Sequence, residues 1–390
     1  MRTIQCVRAG WLAAAVSVCT LIGGAALAAT TTERPGSILI FPKVVTTGTR
    51  DTVIQITNTG NMPDDVRCFY LNGQSCFETD FSISLTRQQP TVWDAQGGRR
   101  VNPTDAQKGL DPGLIPPLPV NYAGALVCTE VDSSDAPIAR NQLKGEATII
   151  DHSGTSTTNS VSKYNAVAVQ GLTSNLDNVL KLDDGEYSAC PASLVLNFPR
   201  DGGVDPVIEA LGNGGRCDIN SGVDTGSPCN NNSQCLSGAG TCLTGQSRVL
   251  TRLTVLPCSL DIASLQKTHV TLTLDGRDEN EAVFSGSRSF DCWDSFTVDS
   301  LIVSPLTPNA TMSVRGSSPV VGIAEYFRSD SVANTASAAV NLHSQGLCSG
   351  GGRAGQPCNR TAECGAPFTS GGSGTCLTSG AASTIQIPPP

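Results

Sequence analysis

Sixteen cysteines are spread along the chain, yet no two form a C-x-x-C pair. Histidine occurs only three times, at His152, His269 and His343. Zinc sites need closely spaced thiolates or imidazoles, and haem attachment needs C-x-x-C-H, so neither is expected. The hydrolase signatures G-x-S-x-G and H-E-x-x-H are also missing. Lysines number six and are scattered, and the formal net charge is −9. Phosphate binding depends on clustered Lys and Arg, so nucleic acid and anionic lipid are set aside as partners. Beyond the first 28 residues no run is apolar enough to cross a bilayer, which takes roughly 20 residues.

Those first residues carry the one strong hydrophobic run. Arg2 and Arg8 precede an uncharged stretch from Trp11 to Ile22, and small residues lead to Ala26-Leu27-Ala28. This is the layout of a secretory signal ending in an A-x-A cleavage site at residues 1–28. Val18 before Cys19 argues against lipidation at that cysteine, and no membrane insertion is expected after cleavage. The expected location is secreted, periplasmic or at the cell surface. The remaining part carries 23 basic against 34 acidic residues, a net charge of −11 once Arg2 and Arg8 are removed.

Fourteen cysteines follow the signal: Cys68, Cys76, Cys128, Cys190, Cys217, Cys229, Cys235, Cys242, Cys258, Cys292, Cys348, Cys358, Cys364 and Cys376. An even number in an exported chain predicts disulfides, seven in all. Cys68 with Cys76, Cys258 with Cys292, and Cys128 with Cys190 are the expected pairs outside the inserts described below. Geometry rather than order decides bonding, so these pairings are open.

Strand signals dominate. Asp51 to Asn58 and Phe81 to Leu85 alternate apolar and polar residues, as a half-buried antiparallel sheet requires. Ser37–Phe41, Asp65–Leu71, Val120–Val131, Ala147–Ile150, Ala166–Val169, Val249–Leu256, Val270–Leu274, Pro319–Tyr326 and Ala338–Leu342 extend the series. Helical periodicity is weak and confined to Leu176–Leu182 and Leu260–Gln266, while Gly97–Pro119 reads as a long loop. The expected fold is all-β, antiparallel, with Ig-like sandwich units: a first at 34–200 and a second at 246–390. One larger sandwich with decorated loops is the alternative.

An internal repeat interrupts this pattern. Gly226-Ser-Pro-Cys-Asn230 leads to Cys235 and then Gly240-Thr-Cys-Leu-Thr244. Gly355-Gln-Pro-Cys-Asn359 leads to Cys364 across the same gap, and Gly374-Thr-Cys-Leu-Thr378 closes the second copy. With Cys217 and Cys348 opening them, the inserts cover 217–242 and 348–376. Their Gly, Ser, Asn and Thr content cannot form a packed core, so covalent links must hold them. Four cysteines allow three pairings per copy. The spacing resembles short cysteine-rich segments of the Dickkopf N-terminal type, which implies a disulfide knot and protein contact but no chemistry. Arg34-Pro-Gly-Ser-Ile-Leu-Ile-Phe-Pro-Lys43, Pro257-Cys-Ser259 and Asp291-Cys-Trp293 resemble uncharacterised exported β-sandwich proteins of deltaproteobacterial type. That resemblance implies no activity. Ile54 to Thr59 is similar to the Ig-like modules of bacterial surface proteins.

No catalytic constellation emerges. Ser160-Val-Ser-Lys163 matches S-x-x-K without its partner motifs, and His152 beside Asp151 reads as a turn. His343 reads as a sheet-edge residue. Asp183, Asp184, Asp278, Glu279 and Glu281 could serve glycoside hydrolysis only if two faced each other across a cleft. Asp218-x-Asn220-x-Gly222-x-Asp224 is a weak calcium pattern with Cys229 where a glutamate belongs, and Asp275, Asp278 and Glu281 are a weaker one. No cofactor is otherwise expected. Trp93, Trp293, Tyr164 and Tyr326 are candidates for a sugar-stacking platform, and core packing is the competing reading. The expectation is therefore a non-enzymatic structural or adhesive protein of the cell surface or matrix, with envelope proteins, extracellular proteins or glycans as partners. The alternatives are a carbohydrate-binding module or a carboxylate-dependent hydrolase.

Overall fold

The computed structural model describes residues 30–152, 160–174, 177–199, 215–217, 228–229, 233, 235, 240–244, 248–278, 280–298, 309–329, 335–349, 357–358, 364, 375–377 and 382–389. The first strands are β1 (Ile38–Thr46), β2 (Arg50–Asn58), β3 (Asp64–Asn72), β4 (Glu78–Leu85) and β5 (Pro90–Asp94). A four-residue helix, α1 (Pro103–Ala106), precedes β6 (Tyr122–Val131), β7 (Leu143–Asp151), β8 (Ser160–Asn165) and β9 (Val167–Val169). Next come β10 (Val179–Leu182), β11 (Ser193–Pro199), β12 (Gly215–Cys217), β13 (Pro228–Cys229) and β14 (Cys242–Thr244). The second half holds β15 (Arg248–Pro257), β16 (Leu260–Asp261), β17 (His269–Asp278), β18 (Val283–Asp291), β19 (Asp294–Thr297) and β20 (Asn309–Gly316). It ends with β21 (Val320–Ser329), β22 (Thr335–Asn341), β23 (His343–Ser349), β24 (Pro357–Cys358), β25 (Thr375–Leu377) and β26 (Ser383–Gln386).

These strands form six sheets. In the first half, β4-β3-β6-β1-β9 faces β5-β2-β7-β8, and Leu39, Phe41, Ile54, Ile56 and Leu126 fill the space between them. The other face of the five-stranded sheet is covered by β10-β26-β16, with Ile38, Ile40, Val127, Leu180, Leu260 and Ile385 in the second core. Two covered faces explain why β1 and β6 are apolar almost throughout. β2 and β4 have one wet face and alternate accordingly. In the second half the seven-stranded sheet of β11, β17, β18, β20, β23, β24 and β25 packs on β19-β15-β21-β22 around Leu272, Leu274, Phe284, Phe296 and Val314.

The fold is thus all-β and disulfide-bonded, but its small sheets lie in a propeller-like ring in which an Ig-like sandwich is not clear. Two boundaries differ from the sequence reading. β11, expected in the first unit, pairs with β20 and β23 of the second half. The terminal strand β26 pairs instead with β10 and runs parallel to β16, beside the first half. The two segments with helical periodicity contain strands, β10 and β16, because alternate residues, Leu180 and Leu182 in one and Leu260 and Ile262 in the other, face the second core. The loop at 97–119 holds α1, whose Asn102 side chain accepts from the Thr104 and Asp105 N–H groups.

The inserts repeat in three dimensions as well as in sequence. In the first, Arg216 is opposite Pro228 and Leu243, and Cys217 is opposite Cys242. In the second, Leu347 is opposite Pro357 and Leu377, and Cys348 is opposite Cys376. Cys348 bonds Cys364, and Cys235, Cys242 and Cys376 are also disulfide-bonded.

The pairings expected outside the inserts are corrected. Cys68 bonds Cys128, Cys76 bonds Cys292 and Cys190 bonds Cys258. Cys68 and Cys128 are cross-strand neighbours on β3 and β6. The turn after β3 carries Cys76 away from Cys68 and toward the second half. Cys292 sits at a left-handed φ of 55°, beyond the end of β18.

Candidate functional site

The residues singled out for chemistry are largely absorbed by the fold. Asp183 accepts the N–H groups of Gly185 and Glu186, and Asp184 accepts that of Ala189. Asp278 accepts from Asn280 and Ala282 and so closes the β17–β18 turn, where Glu281 has φ 62°. Asp275 pairs with Arg315 at 2.6 Å, so the acidic trio of Asp275, Asp278 and Glu281 is divided between an ion pair and a turn. Glu279 and the calcium pattern at 218–224 lie outside the described residues. His269 pairs with Asp291 at 2.8 Å, and His152, just after β7, donates its backbone N–H to Thr49 O. Ser160 and Ser162 reach Ser337, whereas Lys163 points to the other face of β8 and pairs with Glu146 at 2.8 Å. A serine and a lysine on opposite faces of a strand cannot act on each other.

The four aromatic candidates do not form a platform. Trp93 is buried, with its indole N–H on the Tyr70 hydroxyl at 2.6 Å. Trp293 donates to Pro42 O at 2.7 Å, while Tyr164 donates to Lys43 O and its oxygen accepts the Lys43 N–H. Pro42 and Lys43 form the irregularity in the β1–β6 register, so these two rings satisfy the backbone of a bulge. Tyr326 is half-buried and donates to Asn197 O at 2.7 Å.

The bulge positions a group that sequence reasoning missed. Lys43 is 1% exposed and pairs with Glu325 of β21, itself 0% exposed. Arg50 of β2 pairs with the other Glu325 oxygen at 2.5 Å. The Arg50 guanidinium and that of Arg252 both lie over Phe327, at 5.4 and 5.5 Å. Burial, more than offsetting Glu325, lowers Lys43 to about 8. Burial alone raises the Glu325 carboxyl, but Lys43 and Arg50 outweigh it and hold the group below its ordinary value. The available signal was a single charge inside each of two apolar runs, Phe41-Pro-Lys-Val-Val45 and Val320-Val-Gly-Ile-Ala-Glu325. This ion cluster joins the halves; Lys43 and Glu325 are enclosed, and Arg50, slightly exposed, also pairs with Asp151 at 3.4 Å. A second buried pair, Asp64 and Glu130, sits beside Arg140; burial raises both carboxyls, Glu130 raises Asp64 further, and the N–H groups of Gln142, Arg140 and Asn141 pull Glu130 back down.

The surface best shaped to meet another molecule is the outer face of the seven-stranded sheet. Asn197, Thr273, Arg277, Thr311 and Ser287 stand exposed there, because their neighbours along each strand fill the third core. Two adjoining hollows share Arg277 and Thr311, one of about 610 Å3 with Asp275, Arg315 and Gln345, the other of about 470 Å3 with Asn197 and Tyr326. Hydroxyl, amide and guanidinium groups and one Arg–Asp pair are set among apolar side chains, Val195, Val283 and Met312 in the first hollow and Phe198 and Pro199 in the second. The polar groups can exchange hydrogen bonds and bind carboxylate or hydroxyl groups. Among the described residues no three metal-ligating side chains cluster, and no helix is long and apolar enough to cross a membrane.

Fold and surface together define a disulfide-bonded all-β protein with an open polar sheet face. No protein-family model matches the chain, and no curated protein matches it. Among solved structures it is similar to one described as Thermotoga maritima 1070, with 10% identity and a TM-score of 0.24 over 34% of this chain and 95% of that one.

Proposed function

We propose that this is an exported, non-enzymatic structural or adhesive protein of the cell surface or extracellular matrix. The observation that carries the reading is covalent: Cys76–Cys292 and Cys190–Cys258 tie distant strands of the scaffold together across 216 and 68 residues. Such links persist in an oxidising compartment and suit a scaffold that must keep its shape outside the cell. The carboxylates and histidines described above are engaged in turns and ion pairs, which favours a scaffold over a hydrolase. A second reading, glycan binding, is supported by the hydrogen-bonding hollows around Arg277 and Asp275. It uses polar contacts in place of an aromatic platform.

The test has three arms. Fractionation with N-terminal sequencing of the exported form should find the chain outside the cytoplasm and starting after Ala28. Non-reducing peptide mapping should recover Cys68–Cys128, Cys76–Cys292 and Cys190–Cys258, with each insert bonded first cysteine to third. A glycan array and an envelope-protein overlay should then give binding that Arg277→Ala weakens. Free thiols in native material, or turnover of a glycan probe, would overturn the reading.

A further inference from the structure

The outer strand of the seven-stranded sheet is nine residues long, runs without a bulge against β17 and contains no proline. Natural sheets blunt such edges, since a row of free N–H and C=O groups invites pairing with another chain. Other edges here are handled. The Ser84 N–H of β4 is taken by Pro112 O from the 97–119 loop. β8 lies against β22, with Ser162 donating to Ser337 and the Asn341 side chain bonding both the N–H and the C=O of Asn165. Among the described residues nothing pairs with the free side of β18.

Which groups face that side follows from the register. Cys292 donates to Thr268 O and Asp278 to Ala282 O, both in line with the His269–Asp291 to Arg277–Val283 pairing. Hydrogen-bonded and non-bonded pairs alternate along an antiparallel ladder. Phe284, Gly286, Arg288 and Phe290 therefore spend their backbone groups on β17. Val283, Ser285, Ser287 and Ser289 turn theirs outward.

Read from either end, Phe284-Ser-Gly-Ser-Arg-Ser-Phe290 is a palindrome except for the exchange of Gly286 and Arg288. We propose that β18 pairs with β18 of a second copy of this chain, antiparallel and centred on Ser287, joining two seven-stranded sheets into one. In that register Ser287 meets its own copy, and Ser285 meets Ser289 of the partner. All are outward-facing positions, so their N–H and C=O groups bond across the seam. On the core face Phe284 meets the partner's Phe290, which carries the apolar layer across the two-fold axis. Arg288, already held by Asp294 and lying 4.9 Å over Phe296, meets a glycine. Val283 meets Asp291, so no like charges oppose. A register one residue away in either direction along the strand axis sets Phe284 against Arg288, or Phe290 against Gly286. The contact is isologous and closes as a dimer. It rests on strand geometry alone and stands whether or not the surface reading holds.

Sedimentation of the purified, disulfide-intact chain at micromolar concentration should find dimers. Ser287→Pro removes only an outward N–H, so it leaves the β17 ladder intact and should weaken dimerisation by at least about tenfold. Ser287→Lys sets two ammonium groups against each other on the axis and should have the same effect. Thr273→Lys, exposed on the same face but one strand in from the edge, opposite Ser287, should not. Should Ser287→Pro misfold, amide exchange decides: in the wild type the Ser285, Ser287 and Ser289 amides should exchange slowly, and Ser287→Lys should make them fast. A monomeric wild type, a dimer indifferent to both substitutions, or rapid exchange at all three serines would overturn the proposal.

Discussion

The two principal sheets of this protein meet solvent differently. The five-stranded sheet of the first half has cores on both faces, whereas the seven-stranded sheet of the second has one core and one open face. β1 reads Ile-Leu-Ile-Phe-Pro-Lys-Val-Val-Thr, buried at every position. β17 reads His-Val-Thr-Leu-Thr-Leu, exposed and buried by turns. The same pleat underlies both; only the number of apolar neighbours changes. The lesson is that an uncovered face is recorded in the strand itself, and in this chain it marks where contact with other molecules can occur.

The strongest way to break the contrast is to unlock the junction between the halves. Glu325→Ala leaves Lys43 buried without its counter-ion, while Arg50 keeps only Asp151, at 3.4 Å. Removing one partner of a buried pair costs about 3–5 kcal/mol, so a large fall in the denaturant midpoint is expected. Lys43→Met should be far milder, since Glu325 keeps Arg50 and an uncharged side chain replaces a charge that burial already disfavours. Equal losses from the two substitutions would show that Lys43, and not Arg50, is the cation that compensates the buried Glu325 carboxylate.

A paired truncation sharpens the comparison. Ile40→Ala on the covered face removes a fully buried side chain and should cost about 2–4 kcal/mol. Thr273→Ala on the open face should change stability by less than about 0.5 kcal/mol. Chemical denaturation of the two variants checks both. A comparable cost at Thr273 would mean that the open face is covered after all.

Much of this architecture is legible in the residues, and the failures have identifiable causes. Alternation in β2, β4 and β17 marks their wet faces, and the two G-x-P-C-N units reappear as matching three-stranded inserts. Chain-order reasoning fails where contacts are long-range. Cys76 finds Cys292 because a turn and a loop from opposite halves converge, which no local spacing records. β10 and β16 mislead through leucines whose spacing suits a helix, although β26 from the chain's far end supplies their partner. Trp93 and Trp293 suggest a platform by residue type alone. Only the Tyr70 hydroxyl and the Pro42 carbonyl, distant in sequence, reveal them as structural.

The smallest expected effect concerns pH, and it separates the two halves by the charge they bury. In the second half's contribution to the junction, Glu325 is ionised between two cations. In the first half, Asp64 and Glu130 are two carboxyls sharing one pocket, and burial together with the neighbouring Glu130 raises Asp64 well above the ordinary carboxylate range, against the pull of Arg140. Asp64 is then protonated when folded and ionised when unfolded across the interval above its ordinary value. The folded state binds more protons there, so this pair contributes less stability as pH rises through the raised value and more as pH falls toward the unfolded one. Asp64→Asn retains an oxygen for Arg140, which lies 3.2 Å away, and removes the charge. It should stabilise by almost nothing near pH 3, where the carboxyl is neutral in both the folded and the unfolded chain, and increasingly as pH rises above about 4, reaching at least about 1 kcal/mol in mildly alkaline solution. Thermal melts of both proteins across that range test the sign: a gain that grows on acidification would mean that Arg140 keeps Asp64 ionised and that the carboxyls do not share a proton.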